Sequence, residues 1–244
     1  MIKINNMGYF YKKNEWLFKD ISLEIQQGDI VTILGPNGRG KTTFLKCLAN
    51  IHKPKLGQVS LNGKAGFVPQ ISNPAFGFSV LDIVLMGTGS STSIFEKMKD
   101  SNIEQAYLAL QKIGIEKLAD KYFSDLSGGQ RQLVLVARAL CYGKDILILD
   151  EPASALDLAN QRNLLNLLNN IANEGTTIIM TTHFPNHALQ VAHKTLMLFG
   201  KEEFIYGETN KVVNENNLSK LFETPIKCMD YNINGLAGSF AIPI

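Results

Sequence analysis

Short apolar stretches separated by turn-forming residues dominate the first 70 positions of the chain. Residues Ile21–Ile25 alternate apolar and polar side chains with a period of two, which is typical of a half-buried antiparallel strand. Residues Ile30–Leu34 are continuously apolar and rich in β-branched side chains, as expected of a strand buried on both faces. A glycine-rich turn, a helical pattern over Thr42–Ala49 and short strands ending near Gln70 complete this part of the chain.

Helical and strand patterns alternate in the second half of the chain. A helical pattern over Arg131–Leu140 precedes an apolar strand at Ile146–Leu149, and a helix over Leu158–Ala172 then precedes a strand over Thr176–Thr181. Alternation of this kind predicts a mostly parallel sheet with helices on its faces, and therefore an α/β fold.

Proline, glycine and serine punctuate helix-like pieces between these two halves, from about Ile71 to Leu126. Ile103, Tyr107, Leu110 and Ile113 recur there at helical spacing. We expect this region to form a helical lobe that is inserted into the α/β core.

Composition narrows the class of protein. Lys and Arg number 24 and Asp and Glu 22, and the net charge of +2 is too small to favour nucleic acid or an anionic membrane as the main partner. No apolar run approaches the roughly 18 to 20 residues that span a bilayer, and the first residues lack a signal-peptide pattern, so we expect a cytoplasmic product. Cys47, Cys141 and Cys228 lie far apart without CxxC spacing, which favours reduced thiols over a metal site or disulfide framework.

A phosphate-binding loop stands between the buried strand and the first helix. It matches GxxxxGK[ST] and consists of Gly35, Pro36, Asn37, Gly38, Arg39, Gly40, Lys41 and Thr42. Glycines let backbone N–H groups curl around phosphate oxygens, and the helix N-terminus adds positive potential. Lys41 supplies a point charge, and the Thr42 hydroxyl can ligate Mg²⁺. The implied ligand is a nucleoside triphosphate, and we include Thr43 in its site.

Two carboxylates follow the apolar strand Ile146–Leu149. Because ligand sites of parallel sheets lie at the carboxyl ends of strands, Asp150 and Glu151 are predicted to lie near the phosphate loop. Adjacent strand residues point to opposite faces, so the two acids can have different roles. We assign Asp150 to the magnesium shell and Glu151 to polarisation of the attacking water.

The segment 126–130, Leu-Ser-Gly-Gly-Gln, precedes that acidic strand, and LSGGQ is the signature of ABC ATPases, which the chain resembles over essentially its whole length. The resemblance implies a P-loop NTPase core, with a mostly parallel sheet flanked by helices, an N-terminal antiparallel β subdomain and an inserted α-helical subdomain. It also implies a head-to-tail dimer with two composite ATP sites. In that dimer the γ-phosphate held by one subunit is reached by Ser127, Gly128, Gly129 and Gln130 of the other.

Other residues fall in the order that the family requires. Gln70 resembles the Q-loop glutamine, which touches Mg²⁺ and links the core to the helical lobe. Asp157 ends a Ser-Ala-Leu-Asp segment that resembles the D-loop, and His183 resembles the switch histidine that contacts the γ-phosphate. The resemblance thus implies that Glu151, His183 and Gln70 are the catalytic residues, with ATP and Mg²⁺ as cofactors.

Two positions are less regular. Tyr11, 30 residues before Lys41, is our choice for the aromatic side chain that stacks on adenine, with Tyr9 as the alternative. Ala153 stands where the family commonly has Thr or Ser after Glu-Pro. We expect little effect of this departure because the neighbouring carboxylates remain.

The segments 78–87 and 154–161 and the short tail ending at Ile244 resemble importers of metal chelates, namely iron siderophores, haem, cobalamin and molybdate. That resemblance implies a homodimer that works with two transmembrane permease subunits, and indirectly with a substrate-binding protein, at the cytoplasmic face of the inner membrane. Substrate choice belongs to the permease and binding protein in such systems. The sequence therefore leaves the cargo open.

We expect one ABC ATPase domain over residues 1–244. Residues 1–70 form the β subdomain and the first part of the core, 71–140 the helical subdomain with the signature, and 141–244 the remainder of the core and a short tail.

Three alternatives remain. ABC proteins that act on nucleic acid or ribosomes usually carry long coiled coils, tandem units or basic tails, which this sequence lacks, so no nucleic-acid partner is expected. A small P-loop kinase would leave Ser127–Gln130 and His183 without a role. Export in place of import stays open.

Overall fold

The computed structural model describes residues 1–13, 15–70, 77–89, 100–200, 202–233 and 235–244. Its strands are β1 (Ile2–Phe10), β2 (Trp16–Ile25), β3 (Ile30–Leu34), β4 (Leu56–Leu61), β5 (Ala65–Val68), β6 (Ile146–Leu149), β7 (Thr177–Thr182), β8 (Lys194–Leu198), β9 (Phe204–Glu208), β10 (Ile226–Ile233) and β11 (Leu236–Pro243). Its helices are α1 (Lys41–Leu48), α2 (Val80–Leu85), α3 (Asp100–Ile113), α4 (Gly128–Tyr142), α5 (Leu158–Asn173), α6 (Pro185–Val191), α7 (Thr209–Val212) and α8 (Glu215–Phe222).

The central sheet has six strands in the order β5-β6-β7-β3-β8-β9. All pairs are parallel except β8 with β9, which confirms the predicted mostly parallel sheet. Strands β3 and β6 have the predicted bounds and are buried at every position. Strand β7 begins one residue later than predicted, because the Thr176 amide donates to the Ile171 carbonyl and so belongs to the turn that ends α5.

A second sheet, in the order β2-β1-β4, is antiparallel and confirms the expected N-terminal β region. Burial alternates along the C-terminal half of β2, where Ile21, Leu23 and Ile25 face the core. Their apolar cluster includes Phe44 and Leu48 of α1, so this sheet packs beside the helix that follows the phosphate loop.

Helices α2, α3 and α4 pack together and share one apolar cluster with residues of β6 and β7. The predicted helical periodicity in α3 is correct for Leu110 and Ile113 but wrong for Tyr107, which is exposed, while Ala106 and Ala109 are buried. Parts of the expected lobe, residues 71–76 and 90–99, lie outside the described residues.

Helix α4 begins three residues earlier than the predicted Arg131, and the reason is a capping box. The Gln130 amide donates to Ser127 Oγ at 3.3 Å, and the Ser127 amide donates to Gln130 Oε1 at 3.1 Å. These two bonds satisfy N–H groups that a helix end leaves free, so the first turn can form through Gly128 and Gly129. Helices α1 and α5 differ from the predicted bounds by one residue.

The last residues, expected to be a short tail, form the hairpin β10–β11. Asn186 of α6 fastens this hairpin, because its side chain accepts from the Ala241 amide at 2.7 Å and donates to the Ala241 carbonyl at 3.2 Å. The C-terminal segment is therefore attached to the helix that follows His183.

Cys47, Cys141 and Cys228 are free thiols, and burial raises the pKa of Cys47 and of Cys141 to about 11. Across the described ranges, none of the helices has both the length and the apolar character that a membrane span requires.

Candidate functional site

The phosphate loop leaves the carboxyl end of β3 and turns directly into α1. Gly40 has a φ of 92°, and a Cβ at this position would lie 2.7 Å from Leu17 Cγ. Only glycine meets both conditions without strain. Lys41 is the first residue of α1 and is only 5% exposed; its Nζ donates to the carbonyls of Gly35 at 2.8 Å and Pro36 at 3.1 Å. The lysine thus reaches back across the loop.

Glu151 lies between two cationic or protonatable groups. One carboxylate oxygen is 3.2 Å from Lys41 Nζ, and the other is 3.2 Å from His183 Nδ1. The side chains of Glu151 and Lys41 are 12% and 5% exposed, so little water screens their attraction. This places Glu151 at the base of the site, against the phosphate-loop lysine.

The two acids have different partners, and for a different reason than predicted. Strand β6 ends at Leu149, so neither acid continues the strand pleat. Glu151 has a φ of 47°, and its amide donates to Thr181 Oγ1 at 2.8 Å. A left-handed turn, stabilised from β7, therefore separates the two carboxylates.

Asp150 is almost fully buried and accepts two hydroxyl hydrogen bonds. Its Oδ1 lies 2.7 Å from Thr181 Oγ1 and 3.1 Å from Thr42 Oγ1. Mg²⁺ prefers such hard oxygen donors and commonly binds through one or two carboxylates, a hydroxyl and substrate phosphates. The Thr42 hydroxyl, the Asp150 carboxylate and the Gln70 amide at the cavity edge fit this ion.

A cavity of about 410 Å³ opens above this cluster. It is lined by Tyr11, Leu17, Asn37, Gly38, Gly40, Lys41, Thr42, Thr43, Gln70 and Glu151. Its volume lies within the range of small-molecule sites. A larger cavity of about 690 Å³ lies beside the C-terminal hairpin and contains none of the predicted site residues.

Tyr11, the predicted adenine-stacking residue, stands at the cavity with 66% of its surface exposed. Its hydroxyl lies 2.9 Å from Thr43 Oγ1, which fixes the ring near the phosphate loop. Tyr9 is 8% exposed and stacks on His52 within the protein, so its faces are not available to a base. Of the two tyrosines, the geometry favours Tyr11.

Several predicted residues lie away from this cavity lining. Ser127 and Gln130 form the capping box of α4, while Gly129 lies beside Asn160. Asp157 caps α5, accepting from the Asn160 amide and from Asn160 Nδ2, each at 2.8 Å. The signature segment and Asp157 thus meet at one asparagine.

Arg39, another residue of the phosphate loop, does not line the cavity. It pairs with Glu223 at 3.0 Å, between the phosphate loop and the C-terminal end of α8.

Sequence reasoning missed Thr181 and Leu17. Thr181 had a signal, because it lies near the carboxyl end of the buried strand that precedes His183, and the carboxyl ends of parallel strands are where ligand sites form. Leu17 had none, since its place beside Gly40 depends on how β2 packs on the phosphate loop.

Comparisons with known proteins identify the family of this chain. The ABC transporter family model matches residues 18–154. The molybdate import ATP-binding protein MolC of Haemophilus influenzae is 42% identical over 92% of this chain and 89% of its own length. The iron(3+)-hydroxamate import ATP-binding protein FhuC of Bacillus subtilis is 34% identical over 85% of this chain and 82% of its own.

A solved metal-chelate type ABC transporter in an inward-facing conformation superimposes with a TM-score of 0.93 at 39% identity, covering 100% of this chain and 97% of that one. Because the family model spans more than half of the chain and these relatives align over most of it, the chain belongs to the ABC transporter family, as one of its ATP-hydrolysing subunits.

Proposed function

We propose that this chain is the ATPase subunit of an importer for a metal complex or metal oxyanion, working as a head-to-tail dimer beneath a separate membrane permease. The observation that carries the enzymatic part is the position of Glu151. It lies 3.2 Å from both Lys41 and His183 at the base of a cavity that the phosphate loop lines.

In this proposal each side chain has one task in hydrolysis. The loop amides and Lys41 hold the phosphates, and Tyr11 stacks on the adenine. Glu151 accepts a hydrogen bond from the attacking water and receives its proton as the water oxygen bonds to the γ-phosphorus and the bond from that phosphorus to the β-phosphate oxygen breaks, with ADP as the leaving group. His183 orients the Glu151 carboxylate through Nδ1 and contacts the γ-phosphate. When bound, Mg²⁺ neutralises phosphate charge, and Thr42, Asp150 and Gln70 would hold it.

The position of the signature segment relative to the cavity supports the head-to-tail dimer. Among the described lining residues, none comes from the signature segment 127–130. That segment stands at the N-terminus of α4, where free amides and the helix dipole favour an anion. A second copy of the chain, turned by a twofold axis, would bring this helix end over the γ-phosphate.

A separate groove is suited to the permease. It has a volume of about 290 Å³ and lies between strand β5, the turn after α1, the end of α2 and helix α4. Ile51, Met86 and Tyr142 line it, and each is more than half exposed. An amphipathic helix of a membrane protein could insert apolar side chains here. Met86 belongs to the stretch 71–126, which is predicted to form the helical lobe.

The direction and class of cargo rest on relatives. MolC is named for molybdate import and FhuC for iron(3+)-hydroxamate import, while the structural neighbour is of the metal-chelate type. We infer import of a metal complex or oxyanion of the iron siderophore, molybdate or cobalamin type, at the cytoplasmic face of the cell membrane. Uptake of labelled molybdate, ferric chelates and cobalamin by a deletion strain would distinguish these cargoes.

The variant Glu151→Gln tests the enzymatic part. It keeps the size of the side chain but removes the base, so ATP binding should persist while turnover falls by about 100-fold or more. Nucleotide binding and phosphate release are measured on the same preparation.

Glu104→Gln is the matched control, because Glu104 is exposed on α3 and should leave turnover unchanged. Turnover at the native rate by the Glu151 variant would contradict the assignment of the base.

A further inference from the structure

Gln161 connects helix α5 to the loop that carries Asp157. Its side-chain amide donates to the carbonyls of Ala153 at 3.2 Å and Leu156 at 3.0 Å. Ala153 is 2% exposed and has no side-chain polar group, so this loop is held from its backbone by the amide.

The other end of the Gln161 side chain meets His187 of α6. Gln161 Oε1 lies 3.3 Å from His187 Nε2, and His187 Nδ1 lies 3.1 Å from Thr182 Oγ1. His187 is 8% exposed and Thr182 is 4% exposed. These contacts form a partly buried series of hydrogen bonds from the Asp157 loop to the end of β7.

This series of hydrogen bonds ends at Thr182, beside the proposed switch residue His183. Thr182 Oγ1 accepts from the Phe184 amide at 3.0 Å, so a hydrogen bond joins the residues immediately before and after His183. The His183 ring also contacts the Phe184 ring, with centroids 4.0 Å apart. His183 in turn lies 3.2 Å from Glu151.

Proton positions in this series of hydrogen bonds follow from its donors and acceptors. Gln161 faces two carbonyls with its NH₂ group, so its oxygen must accept, and His187 must carry its proton on Nε2. Burial, and then the nearby His183, lower the pKa of His187 to about 4, so the ring is neutral and its Nδ1 accepts from Thr182. Every member therefore donates in one direction only.

We propose that Gln161 and His187 are positioning residues for ATP hydrolysis, which hold the Asp157 loop and His183 in one fixed relation. Displacement of that loop, which the proposed dimer would bring against the partner copy, then moves His183 relative to Glu151. This inference rests on the proposed roles of His183 and of the dimer, and it adds the connection between them.

The tests are Gln161→Met and His187→Leu, which keep volume and remove the hydrogen bonds. Each should lower kcat about tenfold while KM for ATP changes less than about twofold, because the lost hydrogen bonds position His183 for the transition state and do not contact bound ATP. The double variant should be no slower than the slower single variant, since one broken link interrupts the whole series. Asn166→Met, at an exposed position of the same helix, is the control and should leave kcat unchanged.

Nitrogen NMR of the unaltered protein provides a second measurement that does not depend on how the variants fold. The expected result is a neutral His187 with its proton on Nε2. A proton on Nδ1, or multiplicative losses of kcat in the double variant, would overturn the proposal. If Gln161→Met retains full kcat while Glu151→Gln is inactive, the connection is wrong and the proposed function stands; if Glu151→Gln is itself active, the underlying site is wrong.

Discussion

The Thr181 hydroxyl joins the two acidic residues of the site. It donates to Asp150 Oδ1 at 2.7 Å and accepts from the Glu151 amide at 2.8 Å, and the residue is 0% exposed. Glu151 is held with a φ of 47°, a conformation that costs about 1 kcal/mol or more for a residue other than glycine. The hydroxyl contributes a bond that is available only in this conformation.

Thr181→Val should destabilise the protein by about 1 to 3 kcal/mol, because it leaves a buried amide and a buried carboxylate oxygen without this partner. It should also lower kcat, since the Glu151 turn is no longer fixed. Urea denaturation gives the free energy of unfolding, and phosphate release gives kcat.

Thr32→Val is the matched control in strand β3. Thr32 is 0% exposed, and its hydroxyl lacks a hydrogen-bond partner in the part of the chain that the structure describes. Removing a buried unsatisfied hydroxyl should be neutral or stabilising by up to about 1 kcal/mol. Equal destabilisation by the two substitutions would mean that the Thr181 hydrogen bonds contribute nothing specific.

At the scale of elements, the sequence predicts the bounds of a strand or helix best where one local pattern determines them. Strands β3 and β6 are runs of apolar or β-branched residues with polar or glycine residues at their ends, so their bounds follow from composition. The sequence pattern predicts the start of α4 three residues too late, because a Gly-Gly pair opposes helix formation. The reciprocal Ser127–Gln130 hydrogen bonds offset this preference. The hairpin β10–β11 has a local signal that the sequence analysis did not use, the Asn-Gly pair at 234–235, which is typical of a two-residue hairpin turn. Its attachment to α6 depends on the Asn186 hydrogen bonds.

The same distinction applies to the site. The phosphate loop is contiguous in sequence, and its motif predicts its residues directly. The Lys41–Glu151 ion pair, the Thr181 hydrogen bonds and the Gln161–His187 contact join residues far apart in the chain. Their partners depend on strand order and helix packing, which sequence spacing alone does not specify.

Met86, at the end of α2, tests the proposed permease groove. Met86→Asp places a charge among exposed apolar side chains, which should weaken a partner's apolar contacts but not the nucleotide site. Uptake by the assembled transporter should fall about tenfold or more, while ATPase activity of the isolated chain changes less than about twofold.

Met229→Asp serves as the control, because Met229 is similarly exposed but lies on β10. If both variants, or neither, lost uptake, the groove would not be the docking surface.

At the scale of the whole molecule, one chain holds apart the two groups of residues that the proposed composite site requires. The phosphate loop and Glu151 line one cavity, and His183 contacts Glu151, while the signature segment and Asp157 meet at Asn160 outside the cavity lining. A twofold arrangement would place the first group of each copy opposite the second group of the other. Activity should then depend on two different chains for every ATP.

Mixing two inactive variants tests this claim most directly. Lys41→Ala disables the phosphate loop, and Ser127→Arg disables the signature segment; each alone should be inactive with a near-native melting temperature. In a mixed dimer one composite site carries both defects and the other carries none, so the mixture should regain up to about a quarter of native turnover. A mixture that forms mixed dimers yet stays as inactive as its components would contradict the composite site.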